Sequence, residues 1–241
     1  MEDKVRGEMI LKSLKNGKLL YIGTGCGWLA RLAQEKGFEV VGVDSADKVI
    51  AENRWFDKLT SKPIIIKKAS IYSLPFKEKS FDSVAIVEVL EHLSSPKKAL
   101  KEARRVMRDN GKFVLLIPGY TYMFIYDEVA HPLSNFSLFS YDKRISRKFA
   151  RVGLSHKRQY EDAHRFSYNL KSLKELLASS GFKIEKVVNT EFLSPFINTI
   201  LCNLLKIPRE KITFVEKLDT MAMKLVPLWL GSDWMFVCKK A

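Results

Sequence analysis

Five short apolar runs, KLLYIG (18–23), FEVVGVD (38–44), PIIIKKAS (63–70), FDSVAIVEV (81–89) and GKFVLLIP (111–118), punctuate the first half of the chain, and helical patterns separate most of them. Strands spaced this far apart cannot close as tight hairpins. They pair in parallel through crossovers, which forces a sheet covered by helices on both faces. Trp28 to Lys36 reads as the first crossover helix, and Ala46 to Asp57 as the second, with Ser45 placed to cap it. After the turn at Ser94-Ser95-Pro96 a third helix runs to about Arg108 with Leu100, Ala103 and Val106 on one face, and Asp109-Asn110-Gly111 ends it.

Beyond Pro118 the alternation breaks. Residues 119–165 are aromatic and basic without a clean period, a length that suits a small subdomain or lid better than a loop. Leu170 to Ser180 then reads as an amphipathic helix stopped by Gly181, FKIEKVV (182–188) as a sixth strand and SDWMFVCKK (232–240) as a seventh. The stretch 190–230 between those strands is mostly apolar and helical in pieces. With 241 residues, 46% of them hydrophobic, the chain can bury one core, so the expectation is one domain over 1–241 decorated by two insertions, 119–165 and 190–230.

Composition excludes disorder, collagen and coiled coil. Cys26, Cys202 and Cys238 are far apart and lack CxxC spacing, so neither a disulfide framework nor a metal site is indicated, and a reducing, cytoplasmic setting fits. The apolar stretch Phe192 to Ile207 is interrupted by Ser194, Pro195, Asn198 and Asn203, and no spanning helix is expected. The formal net charge of +14 suits anionic partners such as nucleic acid, phosphates or a lipid surface, but it is shared equally between the halves, at +7 each, as a diffuse solvated charge would be.

The sharpest local signal is Gly23-Thr24-Gly25-Cys26-Gly27, between the first strand and the first helix. Glycines let a backbone approach a ligand without Cβ clash, and the free amides of a helix start favour an anionic group. Asp44 ends the second strand, 21 residues beyond Gly23, where a carboxylate can accept from both ribose hydroxyls of an adenosine. Dinucleotide enzymes usually carry GxGxxG, whereas the spacing here is GxGxG. Leu74-Pro75-Phe76, Ser80-Phe81-Asp82, Glu88-Val89-Leu90-Glu91-His92, Arg105-Val106-Met107 and Asn110-Gly111 follow. In these motifs the sequence resembles the class I S-adenosylmethionine-dependent methyltransferases, in particular the group containing the ubiquinone and menaquinone biosynthesis C-methyltransferases. The likeness covers 17–118 strongly and extends over 164–188 through His164-Arg165-Phe166-Ser167 and Gly181-Phe182.

The resemblance implies a Rossmann-like α/β fold whose seven-stranded sheet is ordered 3-2-1-4-5-7-6 with the last strand antiparallel, and S-adenosyl-L-methionine as cofactor. It places Gly23, Thr24, Gly25, Cys26 and Gly27 along the methionine part, Asp44 and Ser45 at the ribose, Ser70 and Ile71 at the adenine, and Val87 and Glu88 beside the methionine moiety. Two residues depart from the common pattern: Tyr21 stands where many members are acidic, and Ser70 where many have Asp. A neutral serine holds an adenine amino group more weakly than a carboxylate does.

Methyl transfer from a sulfonium needs alignment and exclusion of water, and a base only where the acceptor must lose a proton. His164 and His92 are the candidate bases, although His92 in EVLEH also suits a structural role, and Tyr120, Tyr122 and His131 are candidate acceptor contacts. His156, among Arg151, Lys157 and Arg158, reads as a surface residue. The insertions would cap the acceptor side, with a small, apolar or partly anionic acceptor as the expected partner. Peripheral contact with a lipid surface, an RNA methyltransferase and a non-catalytic S-adenosylmethionine-binding protein stay open as alternatives.

Overall fold

The computed structural model describes residues 2–58, 63–119, 168–191, 225–228 and 231–241. Its centre is β1 (Lys18–Ile22), in which Leu19, Leu20, Tyr21 and Ile22 are all buried, as a strand covered on both faces requires. Parallel partners flank it: β2 (Glu39–Asp44) pairs Ile22 with Val43, and β4 (Phe81–Val87) pairs Ile22 with Ile86. β3 (Ile65–Lys68) extends the sheet beyond β2, and β5 (Met107–Pro118) beyond β4, both in parallel. With β6 (Phe182–Glu191) and β7 (Asp233–Lys240) the seven-stranded order is β3-β2-β1-β4-β5-β7-β6. The end of β7 lies at the start of both neighbours: Lys240 Nζ donates to Asp109 Oδ1 at 3.1 Å, and the Ala241 amide to the Gly181 carbonyl at 2.9 Å. β7 therefore runs antiparallel between β5 and β6, as the Rossmann-like expectation required.

The crossover helices follow their apolar stripes. α2 (Trp28–Glu35) buries Leu29, Ala30 and Ala33, and α3 (Asp47–Asp57) connects β2 to β3. α4 (Pro96–Val106) begins with proline at its first position and buries Ala99, Leu100, Ala103 and Val106. In α5 (Leu170–Ser179) the Asn169 side chain caps the start by accepting the Ser172 amide at 2.8 Å, and Gly181 beyond the end adopts φ +85°.

Two features depart from the sequence reading. Asp109-Asn110-Gly111 is not a turn between helix and strand. β5 already pairs at Met107 with Phe81 and resumes at Lys112 with Ser83, so the tripeptide is absorbed as a bulge in the strand. The N-terminal segment is also helical: α1 (Glu2–Ser13) buries Ile10 and Leu11 in the same core cluster as Leu29 and Ala33. Gly7 lets α1 approach α2, because a Cβ there would stand 2.5 Å from Leu32 Cδ2 and 2.8 Å from Trp28 Cζ3.

The chain divides into two units, one of residues 1–117, 169–188 and 235–241, the other of 118–168 and 189–234. In the second unit, Asn189 Nδ2 donates to the Val226 carbonyl at 3.2 Å, and the Gly119 amide to the Ser232 carbonyl at 2.6 Å. Among the described residues no helix is long and apolar enough to cross a membrane, and no group of three or more His, Cys, Asp or Glu is placed to hold a metal ion.

Ion pairs pin the strand starts. Asp82 accepts the Lys18 amide at 3.0 Å and an Arg108 guanidinium N–H at 2.6 Å, and these donors hold its carboxyl below the ordinary range. Glu102 is held down first by Arg105, then by the Leu74 amide. Because both folded-state values are depressed, the stability these groups contribute is present above the unfolded carboxyl range and lost as pH falls through the folded values. Urea midpoints should therefore drop below about pH 4, and less steeply in Asp82→Asn than in wild type. Ile10→Ala should cost about 2–5 kcal/mol, read as a lower urea midpoint at unchanged slope.

Candidate functional site

The loop 23–27 leaves β1 at Ile22 and turns back over the end of β2. The Gly23 and Thr24 amides both donate to the Val43 carbonyl, at 2.9 and 3.2 Å. Thr24 is buried, and its hydroxyl also donates to Val43 at 3.0 Å. Gly23 (φ +74°) admits no side chain, since a Cβ would lie 2.2 Å from Val89 Cγ2, in the segment following β4. At Gly27 (φ +77°) a Cβ would lie 2.4 Å from Asn53 Oδ1. Gly25 has the opposite environment, with no atom within 4 Å of the Cβ position, so here the loop exposes bare backbone to open space.

Asp44 completes this edge. One carboxylate oxygen accepts the Gly25 amide at 3.1 Å and the other the Ala46 amide at 3.0 Å, so Asp44, rather than the exposed Ser45, takes the free amide just before α3. An ionised carboxylate offers about four acceptor positions. Two are used, and two are left for a ligand. The Ala69 amide donates to the Asp44 carbonyl at 2.9 Å, which brings the segment after β3 alongside. There Ser70 is exposed, its Oγ accepting the Tyr72 amide at 3.2 Å, and Ile71 is buried.

The far side of the loop is charged. Glu88, just beyond β4, adopts φ +51°, and Arg6 of α1 donates to its Oε1 at 2.7 Å while lying over the Trp28 ring at 5.9 Å. Glu88, Cys26, Arg6 and Asp44 all act electrostatically on the buried Tyr21 hydroxyl, whose pKa is pushed up, first by burial and then by Glu88. A neutral phenol thus stands where the resemblance implied a carboxylate. Val87 is buried beside these groups. His92 lies on a 3-10 turn, Leu90–His92; its side chain is partly exposed, with Nε2 3.8 Å from the buried Glu91 carboxylate. Tyr120, Tyr122, His131 and His164 lie outside the described residues.

Arg6 and Asn53 belong to no motif. Asn53, only 1% exposed, donates to the Gly25 carbonyl at 2.7 Å and to the Val49 carbonyl at 2.9 Å. It fixes the loop from α3, 28 residues beyond Gly25, where a glycine pattern cannot show it. The buried polar residue inside an amphipathic helix was the only available signal.

The loop thus sets open backbone at Gly25 beside a carboxylate with two acceptor positions unused, flanked by the Arg6 guanidinium and the Glu88 carboxylate. A family model described as "Methyltransferase domain" matches residues 20–115. Uncharacterized protein MJ1252 of Methanocaldococcus jannaschii is 30% identical over 222 residues, 88% of this chain and 81% of that protein. The demethylmenaquinone methyltransferase of Thermotoga maritima is 34% identical over 113 residues, 45% of this chain and 46% of that protein. The match thus spans about half the length of the Thermotoga relative. The crystal structure of an S-adenosylmethionine-dependent methyltransferase from Mesorhizobium loti superposes with TM-score 0.61 over the whole of both chains at 16% identity. The chain belongs to the class I S-adenosylmethionine-dependent methyltransferases, and S-adenosyl-L-methionine is the cofactor of that family.

Asn53→Ala should cost about 1–3 kcal/mol, the penalty for a lost buried hydrogen-bond partner. It should also weaken S-adenosylmethionine binding more than Ile10→Ala does at matched stability loss, as read by titration calorimetry alongside urea melts.

Proposed function

We propose that the protein transfers a methyl group from S-adenosylmethionine to a small, apolar or partly anionic acceptor. The observation that carries this reading is the Asp44 carboxylate, held by the Gly25 and Ala46 amides with two acceptor positions left for a vicinal diol. S-adenosylmethionine, when bound, supplies a methyl made electrophilic by its sulfonium. The protein's own work is positional. Gly25 and its neighbours give bare backbone for close approach, while Ser70 and Ile71 frame the adenine. Val87 and Glu88 line the methionine side. Glu88 and Arg6 present a carboxylate and a guanidinium matched to an ammonium and a carboxylate, respectively.

The Thermotoga relative is named for demethylmenaquinone, which supports an acceptor of quinone type. Tyr120, Tyr122 and His131 as acceptor contacts, with His164 or His92 as base, complete the proposal from the sequence.

Titration calorimetry tests it. Asp44→Ala should weaken S-adenosylmethionine about tenfold to hundredfold, as expected for losing hydrogen bonds to a charged acceptor. Unchanged affinity would refute the ribose assignment, and preference for NADH would point to a dinucleotide enzyme instead. Arg6→Gln should weaken S-adenosylmethionine but not 5′-methylthioadenosine, which lacks the amino-acid end. Methyl label appearing in bulk RNA would favour an RNA methyltransferase. Tight binding with no label in a demethylated quinone or in RNA would favour a cofactor-binding protein without turnover.

A further inference from the structure

At the opposite edge of the sheet, where β5 begins, a recess of about 620 Å³ opens between the ends of α4 and α5. Every residue lining it is charged, a serine or a glycine. Lys79, Lys101, Arg104, Arg105 and Lys240 face Glu78 and Asp109 across it. The carboxylates do not balance the cations. Asp109 alone serves two ammonium groups, Lys79 at 2.6 Å and Lys240 at 3.1 Å, and the Lys240 side chain is only 10% exposed. Arg105 is spent on Glu102 and on the Phe76 and Leu74 carbonyls. Arg104 gives only Nε to the Gly181 carbonyl, at 2.9 Å, and Lys101 is exposed with no acidic partner among the described residues. Lys79 is one of two described non-glycine residues with left-handed backbone, φ +54°; the other is Glu88 of the cofactor site. Strained backbone of this kind persists where surrounding structure holds a side chain in place.

A cleft whose lining carries five cations against two carboxylates keeps a net positive field that reaches outward into solvent. We infer that this recess is a docking site for the phosphodiester backbone of RNA. An acidic protein fits poorly, because protein interfaces need an apolar centre and none lines the recess. A bilayer fits poorly, because Arg104 and Lys240 line a concavity that a planar surface does not enter. Phosphate contacts, by contrast, can be made by Lys and Arg with serine and backbone N–H groups, and require no apolar or aromatic surface. With no aromatic residue in the lining there is no platform for base stacking, so the binding is independent of sequence. β4 has seven residues, so the recess lies about 20 Å from the glycine-loop end of the sheet. The phosphates held there are an anchor, set apart from the glycine-loop end of the sheet.

The test is fluorescence anisotropy of a labelled 20-nucleotide single-stranded RNA with the full chain over a range of salt. Lys101→Glu and Arg104→Gln should each weaken binding at low salt. Together they should flatten the salt dependence by about 1.4 in log K against log [salt], about 0.7 for each phosphate contact removed from a single strand. Lys36→Glu, the same charge reversal outside the recess, is the control. If it weakens binding as much as Lys101→Glu, net charge is responsible and the recess assignment is wrong. Absence of wild-type RNA binding at low salt overturns it as well. So does loss of binding to phosphatidylserine vesicles, but not to RNA, in Lys101→Glu. Circular dichroism melts matching wild type show that the variants are folded. Because Arg104 also meets the Gly181 carbonyl, Lys101→Glu decides the outcome alone should Arg104→Gln melt early.

Discussion

The parallel register of β1 against β2 is what the rest of the site depends on. With Ile22 beside Val43, both strands end at one edge, and the Val43 carbonyl is left to receive the chain as it leaves β1. Two amides and one hydroxyl converge on that single carbonyl from Gly23 and Thr24. The loop therefore folds down over β2, and Gly25 is delivered to Asp44. A slip of one residue would send Asp44 to the other face of the sheet. Gly42 guards the same arrangement from below, since a Cβ there would stand 2.6 Å from the Thr24 hydroxyl.

The loop is also held from behind. Asn53 spans α3 and the Gly25 carbonyl, while Arg31 of α2 reaches Asp57 at 3.0 Å and Asp57 accepts the Ile64 amide at 3.2 Å. The two crossover helices and the approach to β3 are thus joined by polar contacts directly beneath the glycine turn. Partly buried polar networks raise the cost of every alternative geometry, because a group that loses its partner there is not rehydrated. The result is a loop whose backbone path is fixed in advance and needs little reordering when a ligand arrives.

Much of this was legible in the sequence, for physical reasons that also explain the gaps. Strands buried on both faces read as unbroken apolar runs, so Leu19–Ile22 and Phe113–Ile117 announce themselves. Gly23-Thr24-Gly25-Cys26-Gly27 and Asp44 were visible because both sit at strand ends. α1 was not visible: its helix carries charge on every turn, and its anchorage on α2 depends on Gly7 and on two apolar residues, Ile10 and Leu11, that make no stripe by themselves. Asp109-Asn110-Gly111 suits a helix stop as well as a bulge, and only the pairing of Met107 with Phe81 decides between them. Arg6 escaped for the reason that makes it useful, as its partner is 82 residues away.

The charge of the chain acquires structure in the same way. Read along the sequence, +7 in each half suggests a diffuse, solvated excess. The fold sorts it. At the edge where β1, β2 and β4 end, carboxylates govern: Asp44 is occupied by two amides, and Glu88 by Arg6. Where β4 and β5 begin, one carboxylate, Asp109, is shared by Lys79 and Lys240, with Arg104 and Lys101 alongside. In parallel strands the two edges are separated by the length of the strand, about 20 Å, or more than two Debye lengths at physiological salt. Each edge therefore presents its own potential to ligands. One edge thus offers carboxylates and the other cations, within one sheet.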